Sequence, residues 1–249
     1  MISRSVVVKW PPSRGIHDRS RTRIHRPAGA GVTVTEPLQD SLCIKCELFS
    51  SCNTVCIPGE GNLDSELLVL GVSPSGVEDK ANRPYVGEGG RLLRAILLEN
   101  GFATKDENEH GLLHNPTCRI SYITRCRSPE NRDPTAKEVE ACSIYLKSEM
   151  DSMPNLKYVV TLGALPMKAM GVHGSIFDLA GVPRQAGNLV VIPVFHPLFV
   201  IKKQTYLSTW EAHWHQIRAT IRPNEQSFAS KVGAKIYPNG LENKDWRTL

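Results

Sequence analysis

A chain of 249 residues with 41% apolar residues is long enough to bury one sizeable α/β core or two small ones. No run in it reaches the roughly 18 apolar residues of a membrane span, and residues 6–8 are too short an apolar stretch for a signal peptide, so the sequence reads as a soluble, cytoplasmic protein. The net charge of +5 is uneven: residues 1–35 hold Arg4, Lys9, Arg14, Arg19, Arg21, Arg23 and Arg26 against Asp18 alone, which leaves the remainder close to neutral.

Residues 1–38 have the polar, basic composition of a disordered tail, one that adds non-specific affinity for nucleic acid if it contacts any. Residues 39–62 are rich in cysteine and punctuated by glycine and proline. From there strands and helices alternate. Residues 66–72 form a buried strand, which breaks into the loop Gly71-Val72-Ser73-Pro74-Ser75-Gly76. Residues 90–99 form a helix with Leu92, Leu93, Ile96 and Leu97 on one side, stopped near Gly101. A short strand over 120–124 and a helix over 135–150 follow. The strand 157–162 runs into Gly163 and a helix to about 170. The strand 189–194 ends at Phe195-His196-Pro197, and a last helix spans 208–221. Residues 223–249 read as a polar tail, which leaves 39–222 as the folded domain.

This alternation predicts a mostly parallel sheet covered by helices on both faces. In such folds ligands sit beyond the carboxyl ends of the strands. Three strand ends then converge, at the loops 71–79, 125–132 and 195–203, and these loops hold the unusual residues.

The seven cysteines are at 43, 46, 52, 56, 118, 126 and 142. In an intracellular chain an odd set points to metal or catalysis before disulfides. Cys43-x2-Cys46 is a compact pair, and Cys126 and Cys142 lie 16 residues apart. Four thiolates from two distant pairs suit a tetrahedral zinc or an iron–sulfur cluster, and spacing alone does not choose. Cys52 and Cys56 leave the N-terminal ligand choice open, and Cys118 reads as a buried core cysteine.

Five motifs occur in order: Cys43-x2-Cys46, Gly71-x2-Pro74-x3-Glu78-Asp79, Asn82-Arg83-Pro84-Tyr85-Val86-Gly87-x-Gly89-Gly90-x-Leu92-Leu93, Cys126-Arg127-x-Pro129-x-Asn131-Arg132-x-Pro134-x7-Cys142, and His196-Pro197. Over roughly residues 40–220 the chain resembles the iron–sulfur uracil-DNA glycosylases, families 4 and 5 of their superfamily. The resemblance implies a three-layer α/β/α sandwich with a four-stranded parallel sheet. It implies a structural [4Fe–4S] cluster on Cys43, Cys46, Cys126 and Cys142. It also implies DNA as the partner, with the target nucleotide flipped out of the stack; nothing calls for a protein partner, and the chain is expected to act as a monomer. His196 matches the histidine that contacts the leaving base, and Tyr85 the aromatic that stacks on it. Pro74, Ser75 and Gly76 match the loop that pinches the DNA backbone. Arg127, Asn131, Arg132, Pro197, Lys202 and Lys203 are the remaining candidates for the DNA face. His213 and His215, beside Trp210 and Trp214, read as packing or surface residues.

Two positions depart from the pattern. Family 4 has a water-activating Glu where this chain has Val72, next to Ser73. The asparagine that reads uracil's edge falls near Ser121 or Tyr122, neither of which is Asn. A site that lacks a required amide loses discrimination for that base. Family 5 also has an apolar residue at the first position and places an Asp where this chain has Glu88, so Glu88 is the candidate catalytic carboxylate and Asp79 the second. The expected function is a glycosylase that hydrolyses the N-glycosidic bond of a non-standard pyrimidine and leaves an abasic site. Candidate bases are uracil, damaged bases and the hypermodified or glucosylated cytosines of phage DNA, with repair or phage defence as the role. The alternative is a DNA-binding module that keeps the fold without activity.

Overall fold

The structure, a computed structural model, describes residues 37–105 and 114–223. The expected tails lie outside these residues, apart from Pro37, Leu38 and Pro223. Along the chain run β1 (Leu67–Gly71), α1 (Gly76–Ala81), α2 (Glu88–Glu99), β2 (Ala103–Thr104), β3 (Asn115–Pro116), β4 (Arg119–Tyr122), α3 (Ala136–Asp151), β5 (Tyr158–Leu162), α4 (Ala164–Ala169), α5 (Ile176–Leu179), β6 (Arg184–Ala186), β7 (Leu189–Val194), α6 (Pro197–Lys202) and α7 (Leu207–Ile221).

Every residue of β1 is buried, as a strand covered on both faces must be. Its side chains alternate between two cores. Leu67 and Val69 pack with Leu92, Leu93 and Ile96 of α2 and with Trp210 and Trp214 of α7. Leu68 and Leu70 pack with Leu146 of α3 and Met167 of α4. The sheet order is β4-β1-β5-β7-β6. The first four strands are parallel, as expected, and β6 adds an antiparallel edge that pairs Arg184 with Val191 and Ala186 with Leu189. β6 has only three residues and hairpins directly onto β7, so it carries too few positions for a periodic signal. The chain leaves β1 toward β4 and then returns to the other side of β1 for β5. This reversal opens a crevice at the carboxyl ends of β1 and β5.

Two buried charges fix the loops above that crevice. Arg94 on α2 is fully buried. It donates to Glu60 through Nη1 (3.0 Å) and Nη2 (2.7 Å), to the carbonyls of His114 (2.8 Å) and Pro84 (2.7 Å), and through Nε to the Tyr85 carbonyl (2.9 Å). Glu60 also accepts from Arg83 at 3.0 Å. Burial alone would raise its pKa, but the hydrogen bonds from Arg94 and Arg83 outweigh burial and hold it below the usual range. Glu149, at the other face, accepts from Arg119 Nε (2.7 Å), from Ser121 Oγ (2.6 Å) and from the Arg125 guanidinium. A Cβ at Gly59 would lie 2.1 Å from Glu149 Oε1, so glycine is required where the 57–61 segment crosses this carboxylate.

Removing one partner from such a network strands buried charge. Glu149→Leu leaves Arg119 and Arg125 without their anion and is expected to lower the unfolding free energy by about 3–5 kcal/mol. Chemical denaturation measures this; a loss below about 1 kcal/mol contradicts it.

Candidate active site and cysteine cavity

The site is built on three strand ends. After β1, Ser75 caps α1: its hydroxyl accepts from the Val77 N–H at 3.3 Å, and Glu78 closes the capping box by accepting from the Ser75 N–H at 3.0 Å. Glu78 also accepts from the Gly87 N–H at 2.8 Å. It therefore ties the 71–76 loop to the start of α2, where the helix dipole favours an anion. Pro74 is buried, and Val72 and Ser73 are half-buried. The Val72 carbonyl accepts from the Thr124 N–H at 3.0 Å, which joins the ends of β1 and β4.

After β7, His196 caps α6. Its Nδ1 accepts the Leu198 N–H at 3.2 Å, with Pro197 in the first turn. A lone pair so engaged makes the ring neutral with its proton on Nε2. Burial pushes its pKa down to about 4, against the nearby negative charges of Glu78 and Asp133 and with the positive charge of Lys202. A Cβ at Gly163, where β5 ends, would meet His196 Cβ at 3.6 Å. The histidine thus stands beside the carboxyl end of β5. Lys202 and Lys203 are exposed on the helix that it caps.

The third strand end, β4, supplies one pocket residue. Tyr122 is buried, and its ring stacks on Tyr85 with centroids 4.6 Å apart and planes at 23°. Its hydroxyl accepts the Tyr85 N–H at 2.9 Å. Tyr85 sits at φ +54°, an uncommon backbone for a bulky residue, held from one side by Tyr122 and from the other by Arg94. Its hydroxyl donates to the Ser121 carbonyl at 3.3 Å. The Ser121 side chain points to the other face of the sheet and donates to Glu149. This corrects the expectation that both residues line one pocket: side chains alternate along a strand, so only one can.

The two candidate carboxylates have different fates. Asp79 is fully buried. Its carboxylate accepts from the Asn53 N–H (3.0 Å) and Nδ2 (2.8 Å) and from the Thr54 N–H (2.9 Å). It anchors the cysteine-rich segment and has no reach to a substrate, which corrects its candidacy for catalysis. Glu88 is exposed at the first position of α2 and makes no hydrogen bond within the described residues.

Among the residues expected to meet DNA, the Arg127 guanidinium lies over Gly76, 3.2 Å from where a Cβ would be, and Arg127 Nε donates to Asn131 Oδ1 at 2.9 Å. Glu130 and Asn131 both have positive φ, +55° and +56°, which turns this loop toward the 71–76 loop. Arg132 instead forms a two-point pair with Glu138 (2.9 and 2.7 Å), whose pKa that pairing lowers to about 2. Its guanidinium braces the start of α3 while the side chain stays solvent-exposed.

Cys43, Cys46, Cys56, Cys126 and Cys142 line one cavity with Lys45, Arg125 and Tyr145. The Cys56 N–H points at Cys126 Sγ (3.4 Å) and the Arg125 N–H at Cys142 Sγ (3.3 Å), contacts that favour thiolates. Burial pushes the Cys142 thiol up to about 12, so these sulfurs carry charge only when a cation neutralises them. No three His, Cys, Asp or Glu side chains among the described residues converge as they would on a single metal ion. Cys52 is half-buried beside Cys126. Cys118 lies in the hydrophobic core, as expected. His213 packs against Phe195, and His215 meets Glu99 at 3.3 Å.

A family model for the uracil DNA glycosylase superfamily matches residues 58–217. The chain belongs to that superfamily. It is 33% identical over 166 residues to the type-4 uracil-DNA glycosylase of Thermotoga maritima, covering 66% of this chain and 80% of that protein. It is 30% identical over 215 residues to the type-4 enzyme of Sulfurisphaera tokodaii, covering 82% and 89%. A type-5 uracil-DNA glycosylase of Thermus thermophilus matches at 28% over 120 residues, 47% of this chain and 54% of that one. Sequence reasoning overlooked Glu78 and Arg94 as site builders. The Ser75-x-x-Glu78 capping box was the available signal for the first; a lone arginine on an apolar helix face was the signal for the second.

His196 is expected to stay neutral well below the ordinary histidine range. In an NMR titration its ring signals should not move between pH 7.5 and 5 and should titrate near 4. A midpoint at 6 or above contradicts the geometry. Because the folded-state value lies below the unfolded one, this residue contributes stability above pH about 6.5 that is lost as pH falls toward 4.

Proposed function

We propose that this protein is a DNA N-glycosylase that hydrolyses the bond between deoxyribose and a non-standard pyrimidine and leaves an abasic site. The observation that carries the reading is His196, half-buried beside the carboxyl end of β5 with Nδ1 engaged by the Leu198 N–H, which leaves Nε2 as the donor. Breaking the glycosidic bond puts negative charge on the leaving base and positive charge on the sugar. A fixed neutral donor aimed at the base oxygen stabilises the first without needing to reorganise. Glu88, unpaired at the crevice edge, is the carboxylate that orients water or faces the sugar cation. Extruding the nucleotide calls for backbone contacts, and the Pro74–Gly76 loop with Arg127 over Gly76 and the exposed Lys202 and Lys203 make them in this reading.

Cys43, Cys46, Cys126 and Cys142 hold a [4Fe–4S] cluster in this reading, and the buried thiols with N–H groups directed at two of them support it. The cluster acts as a cross-link between the N-terminal segment and the loop before α3. Cys56 is a fifth thiol on the same wall. The protein as purified under anaerobic conditions should be brown, with iron and a broad absorbance near roughly 400 nm. Cys142→Ser should lose both; a colourless parent containing one zinc would overturn the assignment.

Val72 and the buried Tyr85–Tyr122 stack favour a second reading, a DNA-binding module without activity. Duplexes bearing uracil, hypoxanthine, hydroxymethylcytosine and glucosylated hydroxymethylcytosine separate the two. Release of at least one of these bases is expected, with His196→Ala slower by about 10²- to 10³-fold and Glu88→Gln also impaired. Binding by parent and His196→Ala with no release of any base would favour the module.

A further inference from the structure

We propose that Tyr122 sets which base this site accepts, by occupying the space on Tyr85 that a flat uracil ring would use; the inference rests on the glycosylase reading above. The two rings are 3% and 4% exposed and stack at 4.6 Å. A base sandwiched between two rings needs them about twice a stacking separation apart, so no base enters between these two as they stand. The pair lies over the carboxyl end of β1: a Cβ at Gly71 would be 1.9 Å from the Tyr85 hydroxyl and 3.3 Å from Tyr122 Cδ1. That strand end leads into Val72 and the 71–76 loop, whose capping-box partner Glu78 is near enough to His196 to act on its charge, and in the glycosylase reading a flipped base arrives here.

Tyr122 is also held in place. Its hydroxyl accepts the Tyr85 N–H, and that N–H would otherwise be a buried, unpaired donor. Swinging Tyr122 out exposes the donor and breaks the stack, so admission of a base requires binding energy from elsewhere. Plain uracil offers little outside its ring. A pyrimidine with a bulky substituent, making contacts beyond the slot, offers more. Chemically the exchange also matters. A carboxamide at this position presents a donor and an acceptor to a base edge, whereas Tyr122 has one O–H proton, for which no acceptor exists among the described residues. The site is therefore closed to uracil by a ring and left with a single donor for whatever base displaces that ring.

The test compares the full-length, cluster-loaded parent with Tyr122→Asn, Tyr122→Ala and Tyr122→Phe on a uracil-containing duplex. Uracil release is measured, and base eversion is followed by the fluorescence of a 2-aminopurine placed next to the uracil. Tyr122→Asn is expected to raise eversion and uracil release at least tenfold and Tyr122→Ala to raise eversion likewise, whereas Tyr122→Phe, which keeps the ring but loses its tie to the Tyr85 N–H, is expected to raise eversion less than either. Visible absorbance and melting temperature establish that each variant is folded; Tyr122→Ala serves if Tyr122→Asn is not. Raised eversion without release of any base would sustain the plug while refuting the glycosylase reading. Eversion as strong in the parent as in Tyr122→Asn and Tyr122→Ala would overturn the proposal, even if the parent excises another base.

Discussion

The site depends first on one buried guanidinium. Arg94 lies inside the protein with no water to solvate it, so all its donors must find acceptors. Helix α2 places it beneath the turn that precedes the helix. It draws the Pro84 and Tyr85 carbonyls inward and takes the Glu60 carboxylate as its counter-ion. That arrangement holds Tyr85 at positive φ and directs its N–H to Tyr122. The geometry of the aromatic pair follows from satisfying a charge, not from aromatic packing alone. Glu60 also joins β4 to α2 and the turn before it, since its backbone pairs with Ile120 of β4 while its side chain binds Arg83 and Arg94.

Glu149 performs the matching task on the other face. Seven residues after Cys142 on α3, it binds Arg119 and Ser121 of β4 and Arg125 of the following loop. Arg125 lies between the sheet and the cysteine cavity, donating its N–H to Cys142 Sγ and its side chain to the Ile57 carbonyl at 3.3 Å. Asp79 continues the chain of restraints through Asn53 and Thr54. The cysteine-rich segment, the 71–79 loop and the loop before α3 are therefore bound to one another through three carboxylates, the half-buried Glu60 and the buried Asp79 and Glu149. A cluster spanning Cys43, Cys46, Cys126 and Cys142 would add a fourth tie in the same place. The strand-end loops are restrained because these acids leave their neighbours few alternatives.

Much of this was legible in the sequence, for identifiable reasons. β1, β5 and β7 are continuous apolar runs that end in glycine or His-Pro, and α2 has a clear 3.6-residue apolar stripe, so the sheet and its strand-end loops could be read directly. α1 and α6 could not, because six residues each carry too little periodicity; only the Ser75 and His196 caps mark them. Tyr85 and His196 were recognisable from their motifs. The fate of Asp79 was not, because its partners lie 25 and 26 residues earlier in a segment without secondary structure. Nor was that of Ser121, whose side chain is assigned by strand alternation and by a carboxylate 28 residues away. The pairing of Arg132 with Glu138, six residues on, was not legible either. Pairing across the fold decides whether a polar residue serves structure or chemistry, and motif spacing does not record it.

The central claim is that a nucleotide is turned out of DNA toward His196, between the Pro74–Gly76 loop and the Tyr85–Tyr122 pair. A crystal structure of the protein with a duplex bearing a stable abasic-site analogue tests this most directly. The account predicts the extrahelical sugar in the crevice where β1, β5 and β7 end, with His196 Nε2 facing the vacated base position and the flanking phosphates on the Ser75–Gly76 backbone and Arg127. A duplex bound elsewhere on the surface, with the abasic sugar still in the helix, would contradict it.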